Sequence, residues 1–293
     1  MRVGKMNVDI SVIVPFYKGN MYMERLFSCV RKNAENARDL SVELLLVNDS
    51  PDTEIAYDES WVEGFSLRIV KNPVNVGIQR SRINGLEHAS GTFVVMLDQD
   101  DLLTDTALAS QYRFCADADV VVGNGVNENR DLAKPIFGSL AHQRQAAFPR
   151  FYYTVGCLIV SPGQCLIRKD AVPAVWKEKC IDCNGSDDYY LWLLMQGDYR
   201  WAINPDVLYT HVDTGENLSI DIDRMIRSSL EVIDLLKQDN KITPRHERLA
   251  KRRFRMRKFY EGRARWRKAA ACLLYPDLFV ELLIYTALKK LCR

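Results

Sequence analysis

Residues 93–103, with the sequence FVVMLDQDDLL, constrain the fold more than any other stretch of the chain. Five apolar residues run directly into four polar ones, and a run that is apolar on both faces is typical of a strand buried in a parallel sheet. The carboxylates of Asp98, Asp100 and Asp101 would be costly in a core, because unpaired buried charge is unfavourable. At the carboxyl edge of an open α/β sheet they are well placed, since ligands bind there.

Two interpretations of this acidic segment are open from these residues alone. The cluster repels itself unless a cation neutralises it, and hard divalent cations take oxygen ligands. The other interpretation is a surface turn before a helix that Asp101 or Thr104 caps. Acidic turns are common, so other parts of the chain must decide between the two.

Strand and helix patterns alternate along the N-terminal third. Strands are predicted at residues 9–17, 42–47 and 66–70, with one helix beginning near Asn20 and another at residues 78–89. This alternation predicts βαβ units and a mostly parallel sheet. The motifs G-x-G-x-x-G and G-x-x-x-x-G-K-[ST] are both absent from the sequence, which argues against a dinucleotide-binding fold and a P-loop.

A second acidic turn follows the strand at residues 42–47, where Asn48 and Asp49 lead into Ser50, Pro51 and Asp52. Parallel strands bring the two acidic turns to the same edge of the sheet, which favours a ligand site.

Beyond residue 103 the pattern is less regular. A helix is predicted at residues 104–115 and strands at 119–123, 161–167 and 207–211, whereas residues 124–155 show no regular pattern. A connection of that length usually carries function or flexibility.

Charge divides the chain near residue 220. Residues 1–220 carry 21 Lys and Arg against 29 Asp and Glu, and residues 221–293 carry 19 against 9. The net charge is therefore −8 for the body and +10 for the tail. We predict one domain at residues 1–219 and a helical extension at residues 220–293. A basic tail on an acidic body is typical of proteins that contact an anionic surface, either membrane or nucleic acid.

The tail combines basic, aromatic and apolar residues. Residues 245–268 contain 12 Lys or Arg in 24 positions, and the apolar block at 269–288 is interrupted by one proline and two acidic residues. A spanning helix needs about 20 apolar residues without charges, so docking of residues 245–293 on an anionic membrane is favoured over insertion. The alternative is a tail packed on the rest of the protein. No motif supports nucleic-acid binding.

The cysteines indicate a reducing compartment. Eight are scattered without the spacing of a disulfide framework, and the N-terminus shows no secretory signal pattern, so the cytoplasm is expected. Cys180 and Cys183 form one C-x-x-C pair without a second pair or matching histidines, so both are predicted to be ordinary thiols. His88, His142 and His246 are predicted to be structural or surface residues.

The motifs of residues 9–103 resemble those of the family 2 glycosyltransferases of GT-A fold. They are the strand SVIVPFYKGN, the strand and acidic turn LLLVNDSPD, and the block NVGIQRSRINGLEHASGTFVVMLDQDDLL. In this block the positions that match the family are Gly77, Arg82, Gly85, Leu86, Ala89 and Gly91, and the D-x-D element falls on Asp98, Gln99 and Asp100. The resemblance implies an α/β fold with a GT-A-like, mostly parallel sheet flanked by helices.

The resemblance also implies an inverting glycosyltransferase of the hexosyltransferase type. Its donor would be a nucleotide diphosphate sugar, most commonly a UDP-sugar, and its cofactor Mn²⁺ or Mg²⁺. The residues implied for donor binding are Pro15, Tyr17, Asp49, Arg82 and Asp98, and those implied for the metal are Asp98, Asp100 and His211. His211 is also a candidate phosphate contact. A cation that bridges both phosphates would stabilise the leaving diphosphate.

Asp187 and Asp188 stand at the start of a predicted helix. Acidic residues at that position meet the positive end of the helix dipole, so plain N-terminal capping explains them from the sequence alone. The family places an acidic pair, usually Glu-Asp, at this helix start, and Asp-Asp is a mild departure. By position, the resemblance implies that Asp188 is the general base that deprotonates the acceptor hydroxyl, with Asp187 beside it.

The implied acceptor is a saccharide or a lipid-linked saccharide, and the expected location is the inner face of the cell membrane. A non-catalytic sugar-nucleotide-binding or scaffold protein on the same fold is the alternative, although the two intact acidic sets argue against it. A nucleotidyltransferase is a third possibility, but PFYKGN is not the Gly-rich basic loop of that class.

Overall fold

The computed structural model describes residues 8–129, 132–215, 217–261 and 265–290. The strands are β1 (Val8–Phe16), β2 (Val42–Asn48), β3 (Ser66–Lys71), β4 (Gly91–Met96), β5 (Leu102–Leu103), β6 (Val120–Asn129), β7 (Leu132–Pro135), β8 (Cys165–Arg168) and β9 (Trp201–Val212). The helices are α1 (Met23–Asn36), α2 (Ile78–His88), α3 (Ala107–Tyr112), α4 (Leu140–Gln143), α5 (Arg150–Thr154), α6 (Ala174–Glu178), α7 (Asp187–Leu194), α8 (Ile222–Gln238), α9 (Pro244–Tyr260), α10 (Arg265–Leu274) and α11 (Pro276–Leu288).

Contacts divide the chain into two units. The first contains the described residues up to Ile136 together with Ser161–Lys177 and Tyr199–Thr214, and it holds every strand named above. The second contains Phe137–Val160, Glu178–Asp198 and the described residues from Gly215 onward. The second unit thus joins two earlier segments to the C-terminal helices. The boundary between residues 219 and 220 stays a prediction.

The sheet of the first unit has the order β3-β2-β1-β4-β8-β6-β9-β5, and β7 pairs with β6. Strands β3, β2, β1 and β4 are parallel to one another, whereas β8 is antiparallel to both β4 and β6. β1 and β2 are built from β-branched and aliphatic residues, and all seven residues of β2 are buried. Because β1, β2 and β4 run in the same direction, the segments that follow them leave the sheet at one edge.

A glycine lets helix α2 approach this sheet closely. A Cβ atom at Gly85 would lie 2.3 Å from Cγ2 of Ile13 on β1 and 3.2 Å from Cγ2 of Val47 on β2. Only a residue without a side chain fits between the helix and the two strands. The helix begins after Gly77, which has a φ of 86° that side chains rarely adopt.

The prediction that residues 124–155 are irregular is wrong. β6 continues to Asn129 and forms a hairpin with β7, and helices α4 and α5 follow. β6 is irregular only in its register with β9, which shifts on both sides of Asn124. Asn and Gly residues in this strand hid its pattern, because they are depleted in strands generally.

The second unit is helical and has its own apolar interior. α8 buries Ile226, Val232, Ile233 and Leu236 on one face. Met256, Ala271 and Leu278 from α9, α10 and α11 form a buried cluster. No single helix in the described ranges is long and apolar enough to cross a membrane. Trp266–Leu274 and Pro276–Leu288 pass that test only as a pair bent by 109°.

Candidate functional site

Asp49 follows β2 and is 4% exposed. Its Oδ1 accepts hydrogen bonds from Asn72 Nδ2 at 2.9 Å and from the Val76 amide at 2.8 Å, and its Oδ2 accepts from the Gly77 amide at 3.0 Å. The carboxylate therefore holds the loop that leads into α2. Its predicted contact with the donor nucleotide stays a prediction.

The D-x-D segment is attached to the end of β1 through its middle residue. Gln99 Oε1 accepts from the Tyr17 amide at 3.0 Å, and Gln99 Nε2 donates to the Tyr17 carbonyl at 3.1 Å. The side chain of Tyr17 is left half exposed, whereas Pro15 pairs within the sheet opposite Val47. Nearby, Gly19 packs against the end of the Gln99 side chain, so a larger residue at position 19 would displace that side chain from Tyr17.

Asp98 lies between the guanidinium of Arg82 and the hydroxyl of Ser161. Its Oδ1 accepts from Arg82 Nη2 at 2.5 Å, and its Oδ2 accepts from Ser161 Oγ at 3.0 Å. The Arg82 side chain is 3% exposed and that of Asp98 is 26% exposed. Helix α2 thus presents a buried positive charge to the first carboxylate of the acidic segment. Two residues predicted for donor binding, Arg82 and Asp98, are in direct contact.

Asp100 lies among like charges. Burial and the neighbouring carboxylates of Asp101 and Asp98 raise the pKa of Asp100 to about 6. Its backbone carbonyl accepts a hydrogen bond from Arg25 Nη2 at 2.5 Å, which fixes the turn. Within the described ranges, no group of three His, Cys, Asp or Glu residues is placed to hold a metal ion. The metal roles of Asp98, Asp100 and His211 stay predictions.

Asp101 is the most deeply buried member of the acidic segment, at 1% exposed. It accepts hydrogen bonds from the Tyr209 hydroxyl and from the Val212 amide, the latter at 3.0 Å. His211 Nδ1 lies 3.2 Å from Asp101 Oδ1, and this contact raises the pKa of the His211 imidazole. The carboxylate therefore orients His211 through Nδ1 and leaves Nε2 as the other ring nitrogen, an arrangement also seen behind metal-bound histidines.

Asp187 and Asp188 begin helix α7 in the second unit. Asp187 is 3% exposed, whereas Asp188 is half-buried. Asp188 Oδ1 accepts from the Tyr189 amide at 2.6 Å, and its Oδ2 lies 3.9 Å from the Sγ atom of Cys157. Of the two carboxylates, that of Asp188 is the more accessible. Its assignment as general base stays a prediction.

Sequence reasoning missed Ser161, Tyr209 and the orienting role of Asp101. Tyr209 and His211 are two residues apart on β9, so their side chains share one face of the strand. That spacing is a signal that the sequence contains. Ser161 follows no motif and is recognised only from its contact with Asp98.

Solved structures of low sequence identity share this fold. S. aureus TarS 1–349 in complex with UDP-GlcNAc matches with a TM-score of 0.60 at 18% identity, covering 94% of this chain and 79% of that one. The mannosyltransferase PcManGT from Pyrobaculum calidifontis, in complex with GDP-Man and Mn²⁺, matches with a TM-score of 0.58 at 17% identity, covering 97% and 81%. The predicted α/β fold of GT-A type is confirmed.

Curated relatives are similar over part of the chain. An uncharacterized glycosyltransferase of Haemophilus influenzae is 29% identical over 119 residues, which are 40% of this chain and 46% of the relative. The Escherichia coli protein UDP-Glc:alpha-D-GlcNAc-diphosphoundecaprenol beta-1,3-glucosyltransferase WfgD is 24% identical over 195 residues, which are 64% of this chain and 70% of the relative. The chain thus spans less than half the length of the Haemophilus protein.

A family model covers the region that contains most of these residues. The model for glycosyl transferase family 2 matches residues 11–176, more than half of the chain, and confirms the family predicted from the motifs. The match includes Asp49, Arg82, the acidic segment and Ser161. This chain belongs to glycosyl transferase family 2.

Proposed function

We propose that the protein transfers a sugar from a nucleotide diphosphate sugar, a UDP-sugar in the first instance, to a hydroxyl of a saccharide or lipid-linked saccharide, with inversion at the anomeric carbon. The observation that carries the proposal is the arrangement after β4. There Arg82 and Ser161 contact Asp98, and Asp101 orients His211. His211 lies on strand β9, and the other four residues lie in the region that the family model matches.

Arg82 and Asp98 are proposed to bind the donor. A guanidinium forms strong charge-assisted hydrogen bonds to phosphate oxygens, and a carboxylate accepts from ribose hydroxyls. When the nucleotide sugar binds, Arg82 would share its N–H groups between Asp98 and the diphosphate. Asp49 keeps the loop at residues 72–77 in shape beside the nucleotide.

A divalent cation fits the carboxylate oxygens that follow β4. The oxygens of Asp98 and Asp100 are hard ligands, and burial together with the carboxylates of Asp101 and Asp98 raises the pKa of Asp100, which a bound cation would offset. Mn²⁺ or Mg²⁺ would neutralise charge on the diphosphate leaving group. One or two carboxylates together with phosphate oxygens and water are enough for Mg²⁺, so a complete cage of three side chains is not required. His211, oriented by Asp101, is the proposed further ligand or phosphate contact.

Asp188 is proposed as the general base. In an inverting transfer the acceptor hydroxyl attacks the anomeric carbon from the face opposite the diphosphate, the C–O bond to the diphosphate breaks, and the hydroxyl proton passes to a carboxylate. The half-buried side chain of Asp188 is the accessible one of the acidic pair. Asp187, buried beside it, is proposed to support the start of α7.

The proposed acceptor class rests on the name of one relative. WfgD is named for a UDP-glucose donor and a diphosphoundecaprenol-linked acceptor. We propose a lipid-linked saccharide acceptor of this class and action at the cytoplasmic face of the membrane, as a step in the synthesis of a surface polysaccharide.

A two-stage experiment tests the proposal. First, a panel of nucleotide sugars is added with Mn²⁺ in a thermal-shift assay; a donor at one hundred times its Kd should stabilise the fold by about 2.7 kcal/mol. Release of nucleoside diphosphate is then measured with and without saccharide acceptors. Acceptor-dependent release supports the proposal. If no nucleotide sugar stabilises the protein, the proposal fails, and donor binding without transfer to any acceptor would favour the non-catalytic alternative.

A further inference from the structure

Helices α10 and α11 expose a concentrated apolar surface. Six large apolar side chains lie in it, and their exposed fractions are 63% for Trp266, 84% for Leu273, 60% for Leu274, 51% for Val280, 52% for Leu283 and 38% for Ile284. They are six of the sixteen exposed large apolar side chains in the described ranges. Single exposed apolar residues are normal, whereas six on two consecutive helices exceed scattered exposure and indicate a binding surface. These six residues are called the apolar face.

Helix α11 is apolar on two sides. Leu278 and Tyr285, 0% and 9% exposed, face the interior of the second unit. Val280, Leu283 and Ile284 follow the spacing of three and four residues that puts side chains on one side of a helix, and they are exposed. A surface helix of a globular protein normally has one apolar side and one polar side. α11 therefore carries more apolar surface than its own unit covers.

The acidic residues of α11 are neutralised from within the same unit. Asp277 accepts two hydrogen bonds from Arg252, at 2.5 and 3.0 Å. Glu281 accepts two from Arg150, at 2.8 and 2.9 Å. Such forked pairs are strong and fix geometry. They remove the two negative charges that would repel an anionic surface.

Exposed basic residues flank the apolar face along the chain, and they are called its rim. Lys268 lies on α10 between Trp266 and Leu273, and Lys290 just follows α11; both are exposed. Trp266, at the start of the face, is the side chain that membrane–water interfaces favour. The surface thus combines an apolar centre, an interfacial aromatic ring and basic flanks, which is the pattern of a helix that lies in the plane of a membrane surface.

The basic helix α9 is not part of this surface. Its Phe254 and Met256 are buried, and the guanidinium of Arg253 is buried against the Phe254 ring, 4.0 Å from its centroid. Lys251 pairs with Asp234 and Arg257 with Glu261. Much of the charge that suggested a docking helix from the sequence is therefore used inside the second unit.

We propose that the apolar face docks on an anionic lipid bilayer, with α10 and α11 in the head-group region and the second unit above them. A second copy of the chain is a poorer occupant, because two faces with the same positive rim repel each other. Anionic head groups instead attract such a rim. The docking is independent of the proposed sugar transfer, because it rests on α10 and α11 alone.

Vesicle co-sedimentation tests the docking, with the full chain and vesicles of phosphatidylcholine mixed with phosphatidylglycerol. The double variant Leu283→Glu/Ile284→Glu should bind these vesicles about tenfold more weakly or worse, because both apolar contacts are lost and two negative charges are added. The matched control is Leu218→Glu/Ile220→Glu, which replaces the same two residue types at positions 42% and 58% exposed. It should bind like the wild type.

A charge variant tests the electrostatic part. The double variant Lys268→Gln/Lys290→Gln should lose about fivefold in binding for each charge on phosphatidylglycerol vesicles, since one basic residue contributes about 1 kcal/mol there. On pure phosphatidylcholine its binding should match that of the wild type. An unchanged preference for anionic vesicles would overturn the assignment of the rim.

Tryptophan fluorescence gives a second measurement that does not depend on the glutamate variant folding. Vesicles should shift the emission of the wild type to shorter wavelength, and Trp266→Phe should abolish that shift. The proposal is overturned if the wild type stays in solution with every vesicle, or if Leu283→Glu/Ile284→Glu binds as the wild type does. A stable dimer in the absence of lipid that this variant dissociates would also overturn it, and would identify the face as an interface between copies.

Discussion

Arg82 on α2 donates a hydrogen bond to Asp98 at the end of β4, with 2.5 Å between Nη2 and Oδ1. The arginine is buried and the aspartate is partly exposed. A buried guanidinium with a carboxylate partner stabilises the acidic segment. In the proposed function the same guanidinium also binds the donor diphosphate, so the pair would join the stability of the fold to the binding of the donor.

Replacing Arg82 by methionine should affect both properties. Without the guanidinium, Asp98 loses its ion-pair partner beside Asp100 and Asp101, so the free energy of unfolding should fall by about 2–3 kcal/mol, less than for a fully buried pair because Asp98 is partly exposed. Nucleotide affinity should fall as well. Denaturant unfolding and calorimetry measure the two effects. The control is Arg80→Met at an exposed position of the same helix, which should change neither. Normal donor affinity in Arg82→Met would remove the arginine from the donor site.

Asp101→Asn should weaken the metal-dependent part of donor binding. Asparagine keeps the shape but cannot accept from Tyr209, Val212 and His211 as a carboxylate does, so His211 loses its fixed orientation. Loss of a residue that orients a metal ligand typically costs about 10–100-fold in metal affinity. Titration of the protein with Mn²⁺ in the presence of UDP measures the change. Asp105→Asn, at an exposed position on the same segment, is the control. Equal Mn²⁺ affinity in both variants would contradict the orienting role.

Gly85→Ala should destabilise the first unit. The added Cβ would lie 2.3 Å from Cγ2 of Ile13, so the helix or the strand must move. Overpacking of this kind costs about 1–3 kcal/mol, although alanine favours helices more than glycine by about 1 kcal/mol. Urea unfolding should show a net loss. Glu87→Ala on the exposed side of α2 should be neutral or slightly stabilising. A Gly85→Ala variant as stable as the wild type would mean that α2 is not held at this distance from the sheet.

His142 should make the second unit sensitive to acid. The imidazole is fully buried between Phe137 and Tyr285, and its Nδ1 accepts from the Gly138 amide at 3.2 Å. Burial, with a smaller effect of Lys289, lowers its pKa from 6.5 to about 4. Between these two values the unfolded chain binds the proton and the folded chain does not, so stability falls as the pH drops from about 6.5 to 4, by at most about 3 kcal/mol.

Urea unfolding followed by circular dichroism at a series of pH values measures this loss. His142→Phe removes the titrating group, so its stability should vary less with pH across the same window, even if its stability at neutral pH is lower. The same pH dependence in both proteins would show that other groups cause the loss.

The sequence predicts the centre of the sheet well and its later part poorly, for a physical reason. β2 is buried on both faces and has an apolar run at residues 44–47, so its residues carry the signal themselves. β9 runs from Trp201 to Val212, but only residues 207–211 were predicted, because Pro205 and Asp206 are residues that strands disfavour. The pairing of residues 201–203 and 207–212 with β6, on both sides of Pro205 and Asp206, keeps these two residues within the strand at the point where the register shifts. That pairing is a tertiary effect.

The same limit applies to the candidate site. Asp49 and Asp98 can be placed at a sheet edge because each directly follows an apolar strand. The contact of Asp101 with His211 joins residues 110 positions apart, and it depends on the register of β5 against β9. Spacing along the chain carries no information on that register. The opposite error concerns helix α9. Residues 245–293 were predicted to dock on a membrane, but Phe254 within that range is buried.

The central claim is tested most directly by Asp188→Asn, assayed for acceptor-dependent release of nucleoside diphosphate with a donor that stabilises the wild type. The substitution keeps size and removes the proton acceptor, so turnover should fall by about 10²–10⁴-fold while donor affinity, measured by calorimetry, stays within a factor of two or so. Asp182→Asn, an exposed residue in the loop before α7, should transfer at the wild-type rate. Near-normal turnover in Asp188→Asn would contradict the account.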